Sequence, residues 1–166
     1  MTDVKRRRSP VRLDHVNLTV DDLDETIAWY GRVFGFEVVE RDVQEGVPWA
    51  VLRAGDSMLC VYAYPERRHL GRFELEEANL HGMNHFSLRV DDESAWASVV
   101  ERESLEILYG GVVEWPHSRS WYVQDPTGHE IEVTAWHDGR PDFSGRPIRD
   151  GRDRRRRREA PPEARS

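Results

Sequence analysis

From position 11 the run VRLDHVNLTV alternates apolar and polar residues, the period of a half-buried strand. The period then changes. In DDLDETIAWYGRVFG, Leu23, Ile27, Trp29, Tyr30 and Phe34 fall near helical spacing, acids crowd the first turn, and Gly35 stands where the helix should stop. Three more apolar runs follow, FEVVERDV, VPWAVLRAG and SMLCVYAY, separated by QEG and GD as turn signals. The expected order is strand, helix, strand, strand, strand.

The same order then recurs. MNHFSLRV reads as a strand, a helix is expected from about Asp92 through ESAWASVVERESLEIL, and GGVVEW, SWYVQD and HEIEVTAW read as strands. The two halves align by residue: LDHVNLTVDD (13–22) lies over MNHFSLRVDD (83–92), and LCVYAY (59–64) over IEVTAW (131–136). Self-similarity at this spacing predicts an α+β fold of two tandem βαβββ modules, residues 12–64 and 81–136, joined by a polar linker over 65–80.

Charge sharpens the boundaries. Residues 12–136 hold ten arginines, no lysine and twenty-four acids, a formal charge of −14, so this body is strongly acidic. Residues 137–166 hold ten arginines against six acids, with Pro and Gly throughout and almost nothing apolar, so an Arg-rich disordered tail is expected, matched by a short basic disordered segment over 1–11. The run Arg154 to Arg158 could attract phosphate, but a solubilising tail is the plainer reading and nucleic acid is not expected as a partner. No apolar run is long enough for a membrane helix and the start offers no secretory pattern, so a cytoplasmic protein is expected. One cysteine, Cys60, excludes an internal disulfide and a cysteine-rich zinc site.

Paired modules of this kind, each with a histidine in its first strand and the second closing on DPTGHEIEV, resemble the vicinal oxygen chelate superfamily, which includes glyoxalase I, fosfomycin-resistance thiol transferases, extradiol dioxygenases and bleomycin-resistance proteins. The resemblance implies an open, curved mixed-sheet cup around a divalent metal, often completed by dimerisation, so a homodimer acting on a small molecule is expected. It implies His15 and His85 as imidazole ligands and Glu132, at the matching position of the last strand, as a carboxylate ligand, a set suited to Fe, Mn, Ni, Co or Zn. Tyr122, ten residues before Glu132 across the DPTG turn, is the implied proton donor to a substrate oxygen, with Ser120 beside it and Arg119 as an anion clamp. His117 precedes that strand and Asn17 lies two residues beyond His15; both are taken as substrate-binding.

The chain departs from the family pattern at informative places. Cys60 stands where glyoxalase-like enzymes carry a carboxylate, which counts against an isomerisation needing a base there; a small buried apolar role is the plainer reading of this thiol. Asp56, Ser57 and Met58 stand where ring-cleaving dioxygenases use a further histidine, and Asn17 stands where fosfomycin enzymes have threonine. The reading that survives is a metal-dependent enzyme that chelates a small oxygenated substrate and stabilises an oxyanion, thiol-transferase-like or lyase-like. Its alternatives are an Fe(II) ring-cleaving dioxygenase and a metal-free protein of the bleomycin-resistance kind that sequesters an aromatic ligand between two protomers, in a groove its tryptophans could line.

Overall fold

The computed structural model describes residues 11–141. The expectations for the N-terminal segment and for most of the Arg-rich tail therefore lie outside the described residues.

The first module runs β1 (Val16–Val20), α1 (Leu23–Phe34), β2 (Glu37–Gln44), β3 (Val47–Ala54) and β4 (Ser57–Ala63). The second runs β5 (Phe86–Arg89), α3 (Glu93–Arg102), β6 (Val113–Glu114), β7 (Ser118–Gln124) and β8 (Glu130–Trp136), with a short helix α2 (Arg72–Glu77) in the linker. Each module forms one four-stranded mixed sheet, ordered β1-β4-β3-β2 and β5-β8-β7-β6, in which only the first pair is parallel. The repeat read from the sequence is the repeat of the fold.

Local chemistry explains the helix starts. Asp22 accepts the Glu25 N–H at 2.8 Å and Asp92 accepts those of Ser94 and Ala95 at 2.9 and 3.0 Å, each satisfying donors that the first turn leaves open. The Ala95 N–H, then the Ser94 hydroxyl and the Ser94 N–H, hold the Asp92 carboxyl below its ordinary range. Gly35, at φ 71°, closes α1 in the left-handed conformation that only glycine adopts without strain. α3 is shorter than the sequence suggests. It stops at Arg102 because Ser104 turns to φ 52°, and the apolar run continuing to Leu108 packs as loop and a single 3-10 turn. The helix α2 was not expected; the Glu74 carboxylate accepts the Gly71 N–H at 3.0 Å and starts it.

Alternation sorts each strand. Leu18, Val20, Leu52, Leu59, Val61, Ile131, Val133 and Ala135 are buried on the helix side, while Asn17, Cys60, Ser87 and Glu132 lie on the other face. Between modules, Phe34 of α1 stacks on Trp96 of α3 at 5.7 Å, and Arg32 reaches Glu103. The buried Asp125 carboxylate accepts the Tyr30 hydroxyl at 3.0 Å and the N–H groups of Thr127 and His129, so the DPTG turn is tied to α1. Burial and this carboxylate push the Tyr30 phenol well above its ordinary range, which keeps it a donor. Gly128, at φ 99°, holds a backbone conformation in which a side chain is strained, and it packs against the Gly71 backbone.

Candidate metal centre

Glu132 sits in the middle of β8, opposite Tyr122 on β7 and Ser87 on β5. Its Oε1 accepts the Ser120 hydroxyl at 2.6 Å and the Tyr122 hydroxyl at 3.1 Å. Its Oε2 lies 3.3 Å from Nε2 of His85. One oxygen is thus fixed by two hydroxyls, and the other meets an imidazole nitrogen. A carboxylate and an imidazole converging on one point fit a borderline divalent ion, as the chemistry of the donors requires.

Ser120 is fully buried and Tyr122 nearly so. Burial, then the Glu132 charge and hydrogen bond, push the Tyr122 phenol up to about 12, so it carries its proton throughout the neutral range. The ring edge of Tyr122 meets His85, with centroids 5.5 Å apart. Tyr122, Ser120, His85 and Glu132 are therefore brought together as the sequence suggests, although His85 stands one residue before β5 rather than inside it.

Beside this cluster opens a cleft of about 660 Å³, walled by Trp115 and Trp136 and reached by His117, Arg89, Ser87 and Glu132. His117 lies in the cleft as expected. Arg119 does not: alternation turns it to the opposite face of β7, where Glu114 and Glu93 take it up at 2.8 and 3.2 Å and raise its guanidinium pKa further. A guanidinium that does border the cleft is that of Arg89, two strand positions beyond Ser87, with the exposed Asp91 3.6 Å from it.

His15 is not brought to His85 and Glu132. It stands just before β1, its Nδ1 donating to Asp14 at 2.8 Å, in a smaller cleft of about 170 Å³ between the starts of β1, β4 and β5. Among the described residues, no three or more of His, Cys, Asp and Glu gather as a metal-holding group. Asn17 is exposed and pairs across the sheet with Cys60, within the first module. Cys60 is half-buried, and burial, then the charges of Asp14 and Glu40, push its thiol up, away from a nucleophilic thiolate.

Two residues escaped the sequence reading. Glu130, on the Glu132 face of β8, is buried; its Oε2 accepts the Tyr109 hydroxyl at 2.6 Å and its Oε1 lies 3.5 Å from Nδ1 of His85. Burial and Glu130 push the Tyr109 phenol up to about 12. Strand alternation in HEIEV already placed Glu130 with Glu132. Nothing local marked Tyr109, which reaches the cluster from a loop and packs its ring on Tyr122 and Phe73.

Residues 12–133 match the family model of the Glyoxalase/Bleomycin resistance protein/Dioxygenase superfamily. No curated protein matches the chain. Among solved structures, a glyoxylase/bleomycin resistance protein/dioxygenase domain from Frankia sp. EAN1pec is 16% identical and covers 78% of this chain and 100% of its own, with a TM-score of 0.65. Lactoylglutathione lyase from Agrobacterium tumefaciens is 26% identical over 77% of this chain and 96% of its own, with a TM-score of 0.55. FosX, a fosfomycin resistance protein from Listeria monocytogenes seen with Mn(II) and 1S,2S-dihydroxypropylphosphonic acid, is 17% identical over 75% of this chain and 91% of its own, with a TM-score of 0.57.

Proposed function

The chain belongs to the Glyoxalase/Bleomycin resistance protein/Dioxygenase superfamily, and from that premise we propose that it is a divalent-metal-dependent enzyme acting on a small oxygenated substrate in the cleft beside Glu132. The observation that carries the reading is the Glu132 carboxylate, one oxygen held by Ser120 and Tyr122 and the other turned to His85 at 3.3 Å. His85 and Glu132 are the ligands of the second module. The third is the partner subunit's His15 in a homodimer, since His15 of the same chain does not join the pair. An ion held there, one of Fe, Mn, Ni, Co or Zn, would supply Lewis-acid stabilisation to an oxygen that becomes negative in the reaction.

The chain's own residues do the rest. Ser120 and Tyr122 fix the Glu132 carboxylate, so its free oxygen keeps one direction. Tyr122 keeps its one hydroxyl proton at neutral pH, its phenol being pushed up to about 12, and turning that O–H from Glu132 toward the substrate would let it donate to a developing oxyanion. Trp115 and Trp136 cover the flat faces of a substrate and exclude water, while Arg89 and His117 orient its polar end. Cys60 stands where an isomerase would need a second base, and its raised thiol pKa leaves it protonated, which favours addition or thiol transfer over proton-shuttling isomerisation.

Metal content decides the matter. Protein purified without chelator should carry a transition metal that Glu132→Ala and His85→Ala both lose. Iron as the resident metal would favour the ring-cleaving reading. The tryptophan walls of the cleft favour, as a second reading, a protein that sequesters a flat aromatic ligand. Failure of the wild type to take up any of the five metals on titration would leave only that one.

A further inference from the structure

We infer that Glu130 is a positioning residue that sets the tautomer of His85, and that Tyr109 holds Glu130 in place to do so. The inference rests on the metal reading above. The Glu130 side chain is only 2% exposed, and a carboxylate so buried must be supplied with donors at both oxygens. One is the Tyr109 hydroxyl at 2.6 Å. Nearest the other oxygen, Oε1, stands Nδ1 of His85 at 3.5 Å, just beyond hydrogen-bond distance, and this is the nitrogen we assign as its donor. With the Nδ1 proton committed to Glu130, the lone pair of His85 lies on Nε2, the nitrogen that already faces Glu132 at 3.3 Å.

Three further features point the same way. Tyr109 reaches Glu130 from a backbone at φ 59°, a conformation that a bulky side chain adopts at a cost and that its surroundings must hold. Its ring packs edge-on against Tyr122 at 5.0 Å, and Tyr122 packs edge-on against His85 at 5.5 Å, so the three rings brace one another. At the equivalent place in the first module, His15 also turns Nδ1 to a carboxylate, that of Asp14 at 2.8 Å, leaving Nε2 outward. Each module presents its histidine through the same nitrogen.

The test is proton NMR of the full chain loaded with Co(II), in which imidazole N–H signals of ligand histidines are shifted clear of the rest, together with Co(II) affinity by calorimetry. The wild type should show a slowly exchanging N–H assigned to Nδ1 of His85. Glu130→Ala should lose that signal and bind Co(II) about 10–100-fold more weakly, the range for removing the group that orients a metal-bound histidine. Glu130→Gln, which keeps an acceptor oxygen, should retain the signal with faster exchange and a smaller loss of affinity. Tyr109→Phe, at a half-exposed ring that the fold does not need, should also speed exchange, and decides the question if Glu130→Ala does not fold. Unchanged affinity and an unchanged N–H signal in Glu130→Ala, or a proton on Nε2 in the wild type, would overturn the inference and leave the metal reading standing. No Co(II) uptake by the wild type would overturn both.

Discussion

Around Glu132 the second module carries Tyr122, Ser120 and Thr134; at the equivalent positions around Cys60 the first carries Val51, Trp49 and Tyr62. The registers match strand for strand, and Trp49 stacks on Tyr62 at 6.1 Å where Ser120 and Thr134 face each other. One backbone thus bears a polar, hydrogen-bonded face in one copy and an aromatic, apolar face in the other. The core sides are the same in both, built from buried Leu, Val and Ile. What the comparison teaches is that the duplicated fold is maintained by its helix-side residues, while the opposite face is free to diverge: the polar cluster lies in one copy, and the other keeps one histidine and an apolar wall.

The sharpest way to break this asymmetry is Glu132→Ala against Cys60→Ala. The first should abolish metal content and activity, since it removes a ligand and strands two hydroxyl donors; the second should leave metal content at the wild-type level, read by elemental analysis. Tyr122→Phe should lower kcat by about 10²- to 10⁴-fold, the range for losing a positioned proton donor, with metal retained. Its pH behaviour follows from the raised pKa. Tyr122 and Tyr109 stay protonated in the fold up to about 12 but ionise near their ordinary value of 10.0 when unfolded. Their contribution to stability is therefore intact below pH 10 and is lost as pH rises toward 12. The tyrosinate ultraviolet absorbance should show three late-titrating groups, Tyr30, Tyr109 and Tyr122, one of which disappears in Tyr122→Phe.

The core should show no asymmetry. Leu59→Ala and Ile131→Ala, buried at matching positions of β4 and β8, should each cost about 2–5 kcal/mol in chemical denaturation. A large difference between them would mean that the modules are not equivalent in what holds them. Tyr30→Phe, which leaves buried Asp125 short of one donor, should cost about 1–3 kcal/mol and loosen the tie between modules. Arg119→Ala, on the outer face, should leave stability and KM nearly unchanged, because its ion pairs are solvent-exposed, whereas Arg89→Ala should raise KM for an anionic substrate.

Much of this was legible in the sequence, for reasons that particular residues make plain. Alternation, apolar runs between turn signals, and their repetition located all eight strands and both long helices, because half-buried strands must alternate. The same alternation marked Tyr122 and Glu132 as sharing a face. It also separates Arg119 from Ser120, since adjacent strand residues point oppositely. The end of α3 was hidden because SLEIL keeps apolar spacing past Ser104, and only the backbone turn there reveals the stop. Tyr109 comes from a loop and His15 from another module. Their places depend on packing between elements, which no local pattern records.

The central claim is that the second module's His85 and Glu132 share one ion with a histidine of another copy's first module. The most direct test mixes His15→Ala with Glu132→Ala, each of which should bind no metal alone, unfolds and refolds them together, and measures metal uptake. A site built across two copies predicts partial recovery, because a mixed dimer pairs the intact His15 of one chain with the intact His85 and Glu132 of the other. Full uptake by the wild type with no recovery in the mixture would contradict it.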